Sequence, residues 1–185
     1  MQTLIELLTE QSARQLVYSN LAREIQVSVD TVKRCSDLLS RLHYGFMVRP
    51  WFRIGAKALR KEPKWFQRDW SGLANEGARA ETFVACHLLK AVEGWTDLGF
   101  GEFELRYLSD KQKREVDFLV VKDRKPWFLV EVKLSLSPSL IHFQAQTKAT
   151  HAFQVVLSLP YEPADCFRVH RPVVFPARTF LGQLL

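Results

Sequence analysis

The chain has 185 residues, 47% of them hydrophobic and 25% charged, with a formal net charge of +6. That size suits one large domain or two small ones, and the composition is that of a globular protein able to bury a core. No apolar run approaches the ~20 residues needed to span a bilayer, so no membrane-spanning helix is expected.

The N-terminus, Met1 to Glu10, is an interrupted amphipathic stretch with acids, unlike a signal or transit peptide. Leu4, Ile5, Leu7 and Leu8 open a first helix. Ser19 is a candidate cap for a short second helix, Asn20 to Gln26, and Ser28 for a third, Val29 to Leu42. In the third, Val32, Cys35, Leu39 and Leu42 step along one stripe with Leu38 beside them. Two short helices, a tight turn and a longer amphipathic helix make a helix-turn-helix pattern. Tyr44 to Phe52 and Lys64 to Asp69 are rich in aromatic and β-branched residues and predict the two strands of a wing. Residues 1–70 are therefore expected to form a winged-helix domain.

The charge is concentrated in that wing. Arg49, Arg53, Lys57, Arg60, Lys61, Lys64 and Arg68 stand against the single acid Glu62, which accounts for the whole net charge. A patch of this kind points to a polyanion, most simply a nucleic acid backbone; a solvated basic loop is the bland alternative. At the start of the third helix Lys33 and Arg34 would approach bases, but Asp30–Arg34 and Asp37–Arg41 are i,i+4 pairs that neutralise an exposed face. The wing is the better candidate interface. The candidate nucleic-acid-binding residues are Lys33, Arg34, Arg49, Arg53, Lys57, Arg60, Lys61 and Lys64.

From residue 71 the pattern becomes mixed α/β. Asn75 to Val92 carries a helical apolar stripe, with Gly94 and Trp95 as a stop. Phe103 to Leu108 alternates as a half-exposed strand. A hairpin follows, then a helix from Pro138 through Ala149, a strand at Phe153 to Leu159, another at Val169 to Phe175, and a closing helix from Pro176. The fold class expected for 71–185 is a mixed sheet with helices packed on it. Cys35, Cys86 and Cys166 are odd in number, widely spaced and set among apolar neighbours. They read as buried free thiols of a cytoplasmic protein, without zinc-site spacing.

The hairpin carries the chemistry. Arg114-Glu115-Val116-Asp117-Phe118-Leu119-Val120-Val121 and Trp127-Phe128-Leu129-Val130-Glu131-Val132-Lys133-Leu134 place carboxylates in strongly apolar strands. Desolvating a carboxylate there is unfavourable unless something compensates it, and a divalent cation is one such partner. Alternation puts Glu115 with Asp117 on one face and Glu131 with Lys133 on one face. Asp117 sits opposite Glu131 only if the turn centres on Arg124, as a three- or five-residue turn would allow; a two-residue turn shifts the register by one. Facing carboxylates on strands ~4.8 Å apart can share Mg²⁺ or Mn²⁺, with Lys133 orienting a water or neutralising charge on a phosphate. The alternative is a wet strand face with Asp117 paired to Lys133.

An Asp followed one hairpin later by Glu-x-Lys resembles the motif of PD-(D/E)XK nucleases. Glu81, within Gly77-Ala78-Arg79-Ala80-Glu81, stands where many nucleases of that fold carry a further metal or water ligand. More broadly, Asn20-Leu21-Ala22, Thr31-Val32-Lys33-Arg34, Pro63-Lys64-Trp65-Phe66, Gly77 to Val84, Arg114 to Phe118 and Val130 to Lys133 resemble the domain of unknown function at the C-terminal end of prokaryotic AAA-type ATPases. The resemblance covers nearly the whole chain and implies a winged helix followed by a restriction-endonuclease-like domain over 71–185. It implies Asp117, Glu131 and Lys133 as nuclease-motif positions, with Glu81 beside them, and an AAA-type ATPase domain as partner. No Gly-x-x-x-x-Gly-Lys-Ser/Thr loop occurs, so ATP binding through a P-loop is not expected, and the chain is expected to be a fragment or a shortened relative. Two functions follow as expectations: a Mg²⁺-dependent nuclease-like module, or a non-catalytic DNA- or protein-binding adaptor regulating an ATPase.

Overall fold

The computed structural model describes residues 2–51, 62–133 and 138–184. The chain divides into two compact units, Met1–Phe83 and Val84–Leu185.

The first unit runs α1 (Gln2–Glu10), β1 (Arg14–Gln15), α2 (Tyr18–Glu24), α3 (Val29–Arg41), β2 (Gly45–Pro50) and β3 (Lys64–Gln67), before the first turns of α4 (Glu76–Asp97). This is the element order of a winged helix, with β3 paired antiparallel to both β1 and β2. Ser28 caps α3 as expected: its hydroxyl accepts from the Thr31 N–H at 3.1 Å. Ser19 does not cap α2, which begins a residue before it at Tyr18 behind Val17. The stripe on α3 is also narrower than expected. Val32 and Leu39 enter a core with Leu8, Leu16, Leu21 and Trp65, whereas Leu42 is 67% exposed and Leu38 is exposed too. Leu42 is the C-cap, where the helical period no longer fixes the direction of the side chain. Gly45 is required by this core, because a Cβ there would lie 2.2 Å from the Trp65 ring.

The second unit continues α4 and adds β4 (Phe103–Ser109), β5 (Glu115–Lys122), β6 (Lys125–Val132), α5 (Pro138–Thr147), β7 (His151–Val156), β8 (Val173–Pro176) and α6 (Ala177–Leu181). β4, β5 and β6 are antiparallel neighbours, and β7 and β8 extend the sheet in parallel, so the sheet is mixed. Gly94 does not stop α4. Trp95, beyond it, packs on Phe103 and Trp127 at ring distances of 5.1 and 5.4 Å, and this contact outweighs the weak helix propensity of one glycine. Among the described residues, no helix is long and apolar enough to cross a membrane.

Cys166 lies in a 3-10 turn under α6, fully buried, with its N–H donating to Gln183 Oε1 at 2.9 Å. Burial pushes its thiol up to about 11, so the thiolate that reacts with alkylating agents is scarce at neutral pH. Cys35 and Cys86 are only half-buried, against expectation. In native protein treated with iodoacetamide at pH 8 and mapped by mass spectrometry, Cys166 should stay unmodified until denaturant is added. Labelling of Cys166 at the rate of a free thiol would show that its burial is wrong.

Candidate metal-binding carboxylate site

The site rests on the register of β5 with β6. Phe118 pairs with Val130 and Leu119 with Leu129, and continuing by one residue sets Asp117 opposite Glu131. That pairing was expected, but the turn that produces it was not. Only Asp123 and Arg124 separate Lys122 from its partner Lys125, both turn residues having positive φ (49° and 63°), as a two-residue type I′ hairpin requires. Such a turn alone would put Asp117 out of step. The ladder corrects itself between Val121↔Pro126 and Val120↔Phe128, where Trp127 is the extra residue of a β-bulge. Pro126 has no N–H to donate to the ladder, and Trp127 packs on Trp95, Phe103 and Phe167, so the bulge is held by aromatic packing.

Asp117 is buried, and its Oδ2 accepts from the Val132 N–H at 2.9 Å, which fixes the carboxylate towards β6. Glu131 is fully buried; its Oε1 accepts from Lys133 Nζ, whose side chain is 54% exposed. From the wet-face alternative Glu131 departs by being fully buried and ion-paired with Lys133, while Lys133 itself is half-exposed. Partial burial acts to lower the Lys133 pKa. The hydrogen bond to Glu131 and the charges of Glu131, Asp117 and Glu115 outweigh it, and the net shift is upward. A raised lysine contributes stability below its unfolded pKa and loses it only as pH rises through the folded value, so Lys133 stays charged across the neutral range. The same charges place Asp117, Glu115, Glu131 and Lys133 in one electrostatic cluster.

Gln154 was not singled out in the sequence. It pairs in parallel register with Glu131 and is fully buried, completing a row Asp117–Glu131–Gln154 across three strands. Its signal was present, a lone amide in the apolar run Ala152 to Val156. Finding it also required knowing that β7 lies beside β6. Gln144, by contrast, donates to the Ala149 and His170 carbonyls at 3.3 and 2.8 Å, tying down the end of α5.

Among the described residues no group of three or more His, Cys, Asp or Glu side chains is arranged to hold a metal ion. Two facing carboxylates nonetheless suit Mg²⁺, which keeps several waters and commonly takes one or two protein carboxylates plus substrate phosphates.

The other expected site residues lie in the first unit. Glu81, on α4, accepts from Lys64 Nζ at 2.9 Å, and the two side chains are 18% and 4% exposed. Lys64 is therefore a buried ion-pair partner; β3 turns it inward beside Trp65 and Phe66. Lys33, Arg34 and Arg49 are exposed, Lys33 with its ammonium 5.7 Å from the Tyr18 ring centre. Arg53, Lys57, Arg60 and Lys61 lie outside the described residues.

Residues 1–82 match a domain of unknown function, DUF8612, and residues 76–169 match another, DUF4143. No curated protein and no solved structure matches the chain.

Proposed function

The chain belongs to the DUF4143 family, and from that premise we propose that it is a nucleic-acid-binding, nuclease-like module working with an AAA-type ATPase, with metal-dependent phosphodiester hydrolysis as its chemistry. The observation that carries the reading is the buried pair Asp117 and Glu131, on facing register positions, with the half-exposed Lys133 ammonium on Glu131. Asp117 and Glu131 would hold Mg²⁺ or Mn²⁺. Such an ion, when bound, polarises a phosphoryl oxygen and lowers the pKa of a water. The Val132 N–H keeps Asp117 aimed at its neighbour. Lys133, charged and half-exposed, attracts a phosphate and neutralises charge that builds on it. The exposed Lys33, Arg34 and Arg49 supply backbone contacts from the first unit.

A second reading has its own observation. Lys133 already neutralises Glu131, and no third metal-capable side chain joins the pair among the described residues. This favours a non-catalytic adaptor in which the cluster is structural and nucleic acid or protein is bound elsewhere.

The test is cleavage of supercoiled, single-stranded and RNA substrates with Mn²⁺ or with EDTA. The nuclease reading expects metal-dependent products and a loss on the order of 100-fold or more in Lys133→Ala, the scale of removing one electrostatic stabiliser. No cleavage of any substrate, with a retained mobility shift at ~50 mM salt, leaves the adaptor.

A further inference from the structure

Several local choices at the hairpin turn of the second unit and at the end of α5 disfavour folding, and all of them add positive charge. Lys122 and Lys125 are direct register partners at the closing pair of the hairpin, where like charges repel. Arg124 occupies the second turn position at φ +63°, where a type I′ turn strongly prefers glycine. Lys148 follows α5 at φ +59°, donating its N–H to the Gln144 carbonyl at 2.9 Å; glycine is again the usual residue at such a helix end. Local stability alone would select two glycines and an opposite charge. Conflicts of this kind are expected where a site requires the residues.

Lys122, Lys125 and Lys148 line a cleft of about 480 Å³ together with Asp123 and Trp127. The volume falls in the range of small-ligand sites. Lys122 is held at it by two aromatic faces, its ammonium 5.2 Å from the Phe103 ring centre and 5.8 Å from that of Trp127. Asp123, the acid of the lining, has one carboxylate oxygen engaged by the Glu102 N–H at 2.9 Å. Three lysines thus line a cleft whose acid, Asp123, already accepts a backbone hydrogen bond. Asp117 lies five residues back along β5, roughly 17 Å at about 3.3 Å per residue, so the cleft is separate from the carboxylate pair.

We propose that this cleft binds a ligand carrying adjacent phosphate groups, whose negative charge relieves the repulsion between Lys122 and Lys125. The reading does not depend on the nuclease proposal.

The experiment is calorimetry of the full chain with inorganic tripolyphosphate at ~150 mM salt, where weak non-specific phosphate contacts are screened. Saturable one-to-one binding is expected. Arg124→Gly and Lys148→Gly should each raise the melting temperature, because glycine relieves the backbone. Lys148→Gly and Lys125→Glu should each weaken tripolyphosphate binding about tenfold, the scale of one charge-assisted contact. Stability rising while affinity falls is a signature that a merely structural lysine would not produce. Parallel titrations identify the source: ATP binding more tightly than tripolyphosphate assigns a nucleotide, and equal affinities assign the phosphates alone. The absence of saturable binding, affinity unchanged in both lysine variants, or binding of a single-stranded oligonucleotide without tripolyphosphate overturns the proposal.

Discussion

Replacing Lys64 with methionine should destabilise the first unit by about 3–5 kcal/mol, the range for removing one partner of a buried ion pair. Lys64 is 4% exposed and its ammonium sits 2.9 Å from Glu81 Oε1, whose side chain is 18% exposed. Methionine fills the aliphatic space but leaves the Glu81 carboxylate without its cation in a poorly solvated place. The loss follows from that stranded charge, so it should shrink when the charge is also removed. Lys64→Met/Glu81→Leu should recover most of the stability, and urea denaturation of the single and double variants measures the coupling directly. If Lys64→Met instead unfolds like the unmodified protein while weakening a DNA mobility shift, Lys64 is a phosphate contact after all and the pair is incidental. The same experiment bears on Glu81: a residue whose role is to neutralise Lys64 gives a folding phenotype that persists in EDTA.

Glu131→Gln and Asp117→Asn should each lower Mn²⁺ affinity by at least about 100-fold, since even second-shell changes at metal sites reach that size. These amides keep the shape of the side chain. Asparagine at 117 retains a carbonyl oxygen able to accept from the Val132 N–H, so that hydrogen bond between β5 and β6 is preserved. Glutamine at 131 removes a carboxylate that is fully desolvated, and the released Lys133 is half-exposed and can return to water. Folding stability should accordingly change by no more than about 1 kcal/mol, because the lost attraction is offset by the lifted desolvation penalty. Calorimetry with Mn²⁺ beside thermal melts separates the two effects. Unchanged Mn²⁺ binding in both variants would place any cation elsewhere, and absence of binding in the unmodified chain would leave the adaptor reading.

Much of this architecture was legible in the chain. Ser28 and the apolar spacing of Val32 and Leu39 announce α3, because a cap and a helical period are local properties. The apolar runs Glu115 to Val121 and Trp127 to Lys133, joined by a turn-like segment, announce the hairpin for the same reason. Where expectation and structure part, a distant residue decides. α4 runs past Gly94 because Trp95 meets Phe103 and Trp127. Lys64, one of a run of cations, is drawn inward because Glu81 waits seventeen residues later.

The candidate site divides along the same line. By itself the sequence determined that two acids and a lysine stand in apolar strands joined by a short turn, since burial propensity and strand period depend on neighbours along the chain. Tertiary structure alone decided that a bulge at Trp127 compensates a two-residue turn, that Lys133 pairs with a fully buried Glu131, and that Gln154 joins the row. Register and parallel pairing are set by packing between segments far apart in sequence. No local pattern encodes how deeply a strand carboxylate is buried, because that is decided by solvation after the strands have met.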